Sequence, residues 1–384
     1  MLLRYLVILL FAGSIIGCVE PYAPPEILDR PDFIVIDAFL DGTDNSCFAR
    51  ITKAVPLNSE VGFEEVQENA FDPITVFVED EQGTVFDVAR VGQGRFESTG
   101  LTLDHTKKYR LRAEINSETY VSEYVEIRQA SPIANIAFEA GQDEVRILVS
   151  SQDAGGQGNY YRWTFEETFE YTSTRRSFYI LEDREVRLRT PEEDVYRCYG
   201  TIASQKILIA SSRDLDSDVI KNFLIHSVPR SSQKLQYRYS INVKQMALTE
   251  DAYTYWFNIF KTTENVGGLF DPMPGEVIGN FRKLSDPSDK VIGYFSASTV
   301  QESRVFLAPE DLPVNYSTFR YPFCEMDTVS LEEVPGLPAS TILVAGVYST
   351  GGFPVLIGYS RTTKGCVDCT MHNNGTTQKP SFWP

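Results

Sequence analysis

Cys366 and Cys369, with His372 close behind them, are the densest group of reactive side chains in this 384-residue sequence. Cys-x-x-Cys spacing admits three chemistries. A structural zinc site needs four ligands, and only Cys198, Cys324 and the three histidines (His105, His226 and His372) are at hand to complete one. A thioredoxin-like redox site wants the motif at the start of a helix that follows a strand, whereas Asn373-Asn374-Gly375 and a short tail follow here. Structural disulfides are the favoured reading, with metal and redox as the alternatives. Cys198, Cys324, Cys366 and Cys369 then supply two bridges in one of three connectivities. Cys47, inside the alternating run Cys47-Phe48-Ala49-Arg50-Ile51, reads as a buried free thiol.

Other chemistry finds little support. The sequence has neither a Gly-x-Ser-x-Gly elbow nor a His-Glu-x-x-His helix, the signatures of nucleophilic and zinc-assisted hydrolysis. Glu166-Glu167 and Glu192-Glu193-Asp194 are candidates for the carboxylate pair of a glycosidase, but adjacent acids on a strand point to opposite faces and read as a solvated edge. Asp214-Leu215-Asp216-Ser217-Asp218 opens like a calcium loop, with Val219 where the glycine belongs and Ile225 where the closing glutamate belongs. No catalytic residue, metal ligand or cofactor is therefore assigned.

Cys18 carries the clearest chemistry. Arg4 precedes an apolar run from Tyr5 to Ile16, then Gly17 and Cys18, the layout of a secretory signal peptide. That run is too short to span a bilayer, which takes about 20 residues. Ile15-Ile16-Gly17-Cys18 resembles a bacterial lipobox, which implies removal of residues 1–17. Cys18 would then become the first mature residue, with diacylglycerol on its sulfur and an acyl chain such as palmitate on its nitrogen. Two or more chains anchor a protein stably where one is marginal. Pro21, Pro24 and Pro25 forbid a continuing helix and make residues 18–32 an extended tether.

The composition fits an exported, β-rich body. Aromatics are plentiful, with 24 Phe, 20 Tyr and 3 Trp against 5 Met, a weighting that favours strands. A net charge of −18 without any basic run argues against nucleic acid and against electrostatic attraction to anionic headgroups, so acyl chains must hold the body to a membrane.

Residues 33–130 read as short strands separated by turns. Ile74, Val76 and Val78 alternate with polar or outward neighbours, and so do Tyr109, Leu111, Ala113 and Ile115. This spacing predicts an immunoglobulin-like β-sandwich. A boundary at Ala130-Ser131-Pro132 opens a larger β-rich, sandwich-like domain over 131–384. It is interrupted by one helix near 249–264, capped by Thr249, with Tyr253, Trp256, Phe257 and Phe260 at helical spacing. The aromatic stripe is read as core packing. The disulfides would pin a tail carrying Phe382 and Trp383.

Several phrases together resemble the DUF4249 family of Bacteroidetes envelope lipoproteins. They are Cys18-Val19-Glu20-Pro21 with Phe33-Ile34-Val35-Ile36-Asp37, Tyr161-Arg162-Trp163 with Glu166-Glu167, and Tyr239-Ser240-Ile241 through Gln245 with Tyr253 and Trp256. Leu269-Phe270-Asp271, Gly279-Asn280, Val291 through Ser298, and the ending Cys366-Val367-Asp368-Cys369 to Trp383 complete the set. Lys283 stands where the family often has a cysteine, so disulfide pairing does not carry over from relatives. The resemblance implies a non-catalytic outer-membrane lipoprotein, an accessory or ligand-capture partner of a TonB-dependent receptor, on a membrane face that the sequence leaves open. An envelope hydrolase acting on glycan or peptide, and a surface adhesin or assembly component, are the alternative expectations.

Overall fold

The computed structural model describes residues 33–54, 73–152, 160–213, 219–263, 277 and 279–384. Cys18, the leader, the tether and the acidic stretch 214–218 lie outside the described residues.

The architecture is mostly β, and residues Ile34–Pro384 form one compact unit. The chain first lays down β1 (Ile34–Asp41), β2 (Ser46–Lys53), β3 (Ile74–Asp80), β4 (Val85–Gly92), β5 (Arg95–Ser98), β6 (Lys108–Ile115), β7 (Glu118–Ser122) and β8 (Val125–Glu126). Period-two alternation decides their faces. β1 turns Ile34, Ile36, Ala38 and Leu40 inward, and β6 turns Tyr109, Leu111, Ala113 and Ile115 inward. Both rows meet Ala49, Ile51, Val76 and Val78 in a single apolar core. β4 joins the two layers, since its first half pairs with β3 and its second half with β5. Asn116 and Ser117 both take positive φ between β6 and β7, as a two-residue hairpin turn requires.

A second body follows: β9 (Ile133–Ala140), β10 (Glu144–Gln152), β11 (Tyr160–Thr172), β12 (Tyr179–Glu182), β13 (Glu185–Leu188), β14 (Arg197–Ala203), β15 (Leu208–Ser211), β16 (Val219–Pro229) and β17 (Tyr239–Ala247). The sheet β16-β10-β9 supplies Val145, Ile147 and Val149 to a core shared with the sheet built around β11 and β17. β11 gives that core Tyr161, Trp163, Phe165, Phe169 and Tyr171. The Trp163 indole N–H donates to Gln245 at 2.8 Å, so its polar atom is satisfied in the interior.

The helix α1 runs Glu250–Thr263, and the Thr249 hydroxyl accepts from the Ala252 amide at 3.1 Å, a regular N-cap. Its buried centre differs from the expected stripe. Ala252, Tyr255 and Trp256 are buried, while Tyr253, Phe257 and Phe260 flank them, partly exposed. One residue of helix is a rotation of about 100°, and the small Ala252 lets the backbone approach the sheet on that side.

The chain then returns to the first sandwich, although the sequence reading places this stretch in the later domain. β18 (Phe281–Lys283) pairs with β7, and β19 (Val291–Ile292) and β20 (Phe295–Ser298) run parallel to β1. Phe281, Val291, Phe295 and Ala297 enter the first core. β21 (Val300–Leu307) crosses directly to β17. This crossing lies beside the earlier one, because Thr299 accepts from the Ala130 amide at 2.8 Å and donates its own amide to Arg128.

The last strands, β22 (Asp327–Ser330), β23 (Ile342–Tyr348) and β24 (Leu356–Thr362), form a small sheet with its own cores. A short helix, α2 (Lys364–Val367), follows them. Trp383 is buried edge-on against Tyr199 and Phe306, at 5.4 and 5.7 Å between ring centres.

Candidate functional site

The two sandwiches meet at a group of residues that the sequence did not single out as a site. Asp37 lies on the outward face of β1, opposite Arg50 of β2. Beside it the parallel partner strand is interrupted at Gly293, whose φ of +122° and close approach to the Ile36 carbonyl admit no side chain. The break turns Tyr294 outward, and its backbone carbonyl accepts from the Ala38 amide at 3.1 Å. Tyr294 packs against Tyr255 of α1, 5.1 Å between ring centres. From the other sandwich, Arg162 of β11 lays its guanidinium over the Trp256 ring at 3.7 Å. Tyr160, Ala252 and Leu248 close the apolar floor beneath the helix.

Among the described residues Arg162 has the Trp256 ring but no hydrogen-bond acceptor, and Asp37 has no hydrogen-bond donor; the two charges sense each other from beyond ion-pair distance. Trp256 is 9% exposed, and among the described residues its indole N–H has no acceptor. Burial pushes the Asp37 carboxyl above its ordinary range, against the pull of Arg162 and Arg50. Burial likewise draws Arg162 down, and it raises the Tyr255 and Tyr294 phenols. Buried polar groups are normally satisfied; among the described residues the Trp256 indole N–H is one of three buried side-chain atoms that are not, with the Ser98 hydroxyl and the Gln236 amide oxygen, while Asp37 and Arg162 are half-buried.

Glu167 provides the contrast. It points into the second core with only 2% exposure, which corrects the expectation of a solvated edge for the Glu166-Glu167 pair. The Tyr239 hydroxyl donates to it at 3.0 Å, Lys234 donates to its other oxygen, and His226 Nε2 lies 3.3 Å away. Burial alone would raise the carboxyl, yet the His226 and Lys234 hydrogen bonds more than reverse this and hold it below the usual range. A carboxylate so fully engaged is a structural charge, poorly placed to exchange protons with a substrate. Of the other acids, Glu193 is held in a two-pronged pair by Arg187.

The cysteines resolve into Cys198–Cys369 and Cys324–Cys366, and Cys47 is a buried free thiol pushed up to about 12 by desolvation. The motif is therefore split between two bridges instead of closing on itself. His372 Nε2 sits 2.8 Å from the Gly365 carbonyl. No group of metal-ligating side chains occurs among the described residues. The first bridge spans 171 residues and the second 42. In the chain-entropy model, each such closure contributes about 4–5 kcal/mol.

Those bridges fasten a small sheet with an apolar tip. Register brings Tyr348 opposite Leu356, and the Leu331 amide donates to the Ile357 carbonyl. Tyr348, Phe353, Val355, Ile357 and Leu331 therefore share one end of the sheet, all exposed, with Phe353 at 92%. Gly352 takes positive φ just before Phe353, with open space around it.

Stacked β-sheets, a disulfide-fastened cap and two differently partnered buried charges define a β-sandwich protein. The family model "Domain of unknown function (DUF4249)" matches residues 19–304, and the chain belongs to that family. No curated protein matches it. Among solved structures, a two-domain fibronectin type-III segment from chicken tenascin is similar at 11% identity. The match covers 58% of this chain and 92% of that one, with a TM-score of 0.16.

Proposed function

We infer that the chain is a non-catalytic, lipid-anchored outer-membrane protein that docks on a TonB-dependent receptor through its disulfide-fastened cap. The observation that carries this reading is the tip formed by Tyr348, Phe353, Val355, Ile357 and Leu331, which exposes large apolar side chains on a sheet fastened by two bridges. Apolar groups clustered at one end of a rigid element mark an interaction surface. A membrane is a poor occupant, because the net charge of −18 opposes anionic headgroups. A β-barrel protein held in the same membrane fits better. Acyl chains on Cys18 would confine the body to the membrane plane. Confinement raises the effective concentration of a neighbour without any new contact.

The test places a photo-crosslinking residue at position 353 of the full-length lipidated protein in intact envelopes, with a second at position 97, on β5 of the first sandwich, as the control. The expected result is an adduct with an outer-membrane β-barrel from position 353 and none from position 97. Adducts to glycan alone, to copies of the same chain, or equal labelling from both positions would overturn the reading.

A further inference from the structure

We propose that the junction between the sandwiches is a binding site for a small zwitterion of the α-amino-acid class, held between Asp37 on one side and Arg162 with the Trp256 indole N–H on the other. The inference goes beyond the docking role above, and it stands or falls on the protein alone.

Complementarity carries the proposal. Arg162 brings a planar fork of donors that suits a carboxylate, and among the described residues it faces no acceptor. The Trp256 N–H is a second donor without an acceptor among the described residues, on a side chain 9% exposed. Asp37, half-buried, meets no donor among the described residues and suits an ammonium group. A carboxylate alone would leave Asp37 unmatched, and an amine alone would leave Arg162 unmatched; a molecule carrying both charges satisfies all three. The walls are aromatic, from Tyr255, Tyr294 and the Trp256 ring, which suits an apolar or aromatic side chain. Each sandwich contributes one end of the site, and a bound zwitterion would tie them together.

Asp37 also faces Arg50 from β2 and Tyr255 from α1. Arg50 is exposed, so it attracts Asp37 through solvent and does not neutralise it at contact.

The experiment titrates full-length protein in detergent with glycine, L-leucine and L-phenylalanine by calorimetry. Three analogues follow: N-acetyl-L-phenylalanine, which keeps only the carboxylate, phenethylamine, which keeps only the ammonium, and N-acetyl-L-phenylalanine amide, which keeps neither. L-Phenylalanine is expected to bind saturably, the single-charge analogues about 10- to 100-fold more weakly, and the neutral amide not at all. Asp37→Asn should abolish the preference for L-phenylalanine over its N-acetyl form, and Arg162→Met the preference over phenethylamine. The analogue series on the unaltered protein keeps the proposal testable if either variant folds poorly. It is overturned if none of the three amino acids binds saturably, which leaves water as the partner of these groups. Equal affinity for charged and neutral analogues would overturn it as well.

Discussion

Glu167 and Asp37 are both carboxylates on the strands of a sandwich, the first buried and the second half-buried, and their surroundings push them in opposite directions. Glu167 sits between the layers of the second body with Tyr239, Lys234 and His226 around it, and its carboxyl is held down. Asp37 sits on the outside of the first body, where the second covers it, and without donors its carboxyl is pushed up. The difference separates charge that the fold neutralises for itself from charge that it leaves to be met by something else. Removing one member of a satisfied buried group exposes the others, whereas removing a charge that was never satisfied exposes little.

The largest expected effect follows from that asymmetry. Glu167→Ala should cost about 3–5 kcal/mol by leaving Lys234 and Tyr239 unpaired in the core, read from denaturant unfolding. A loss below about 1 kcal/mol would break the comparison. Next comes Gly293→Ala. A side chain there meets the Ile36 carbonyl at 1.9 Å, and a cost of about 1–3 kcal/mol is expected. The change should also perturb Tyr294 and with it the junction, visible as a shift in Trp256 fluorescence.

The pH dependence sharpens the same contrast. The folded-state pKa of Glu167 is depressed, so its contribution is present above the unfolded value, about 4.3, and is lost as pH falls through the folded value. Asp37 is raised, so its effect has the opposite sign: the stability it contributes is full below about 3.9 and lost as pH rises through the folded value. Comparing the pH–stability profiles of Glu167→Gln and Asp37→Asn with that of the parent protein should show differences that open in opposite directions. Parallel curves would refute the assignment. Smaller still, Asp37→Asn should not lower stability at pH 7, because it removes a charge whose burial Arg162 and Arg50 do not offset. Phe353→Ser, at an exposed tip, should change it by less than about 0.5 kcal/mol while reducing receptor crosslinking from a photo-reactive residue placed at the neighbouring exposed position 355.

Local pattern in the sequence accounts for much of this architecture. Ile74, Val76 and Val78, and the Tyr109 to Ile115 alternation, state their faces outright, because a strand with one buried side writes its period into residue type. Thr249 and the acidic pair after it marked where α1 begins. The return of Val291–Ser298 to β1 was not legible, since parallel pairing across some 250 residues has no local signature and the apolar run fits either body. Which helix face is buried depended on Ala252, whose small side chain carries little hydropathy signal. The junction was the least legible part. Asp37 and Arg162 are outward residues of ordinary strands, and only their meeting across the two bodies half-buries them. Arg162 stands between Tyr161 and Trp163, and its type alone reads as an exposed charge. Cysteine identity indicated bridges, and their pairing required the fold.

The most direct test of the contrast is a carboxyl-carbon NMR titration of the full-length protein, with Asp37 and Glu167 assigned by their Asn and Gln variants, in the absence and presence of L-phenylalanine. The expected result is Glu167 titrating below the ordinary glutamate value and unmoved by the amino acid. Asp37 should titrate above the ordinary aspartate value and fall when the ammonium group arrives beside it. An Asp37 that titrates at or below the ordinary value and does not respond to L-phenylalanine would contradict the account.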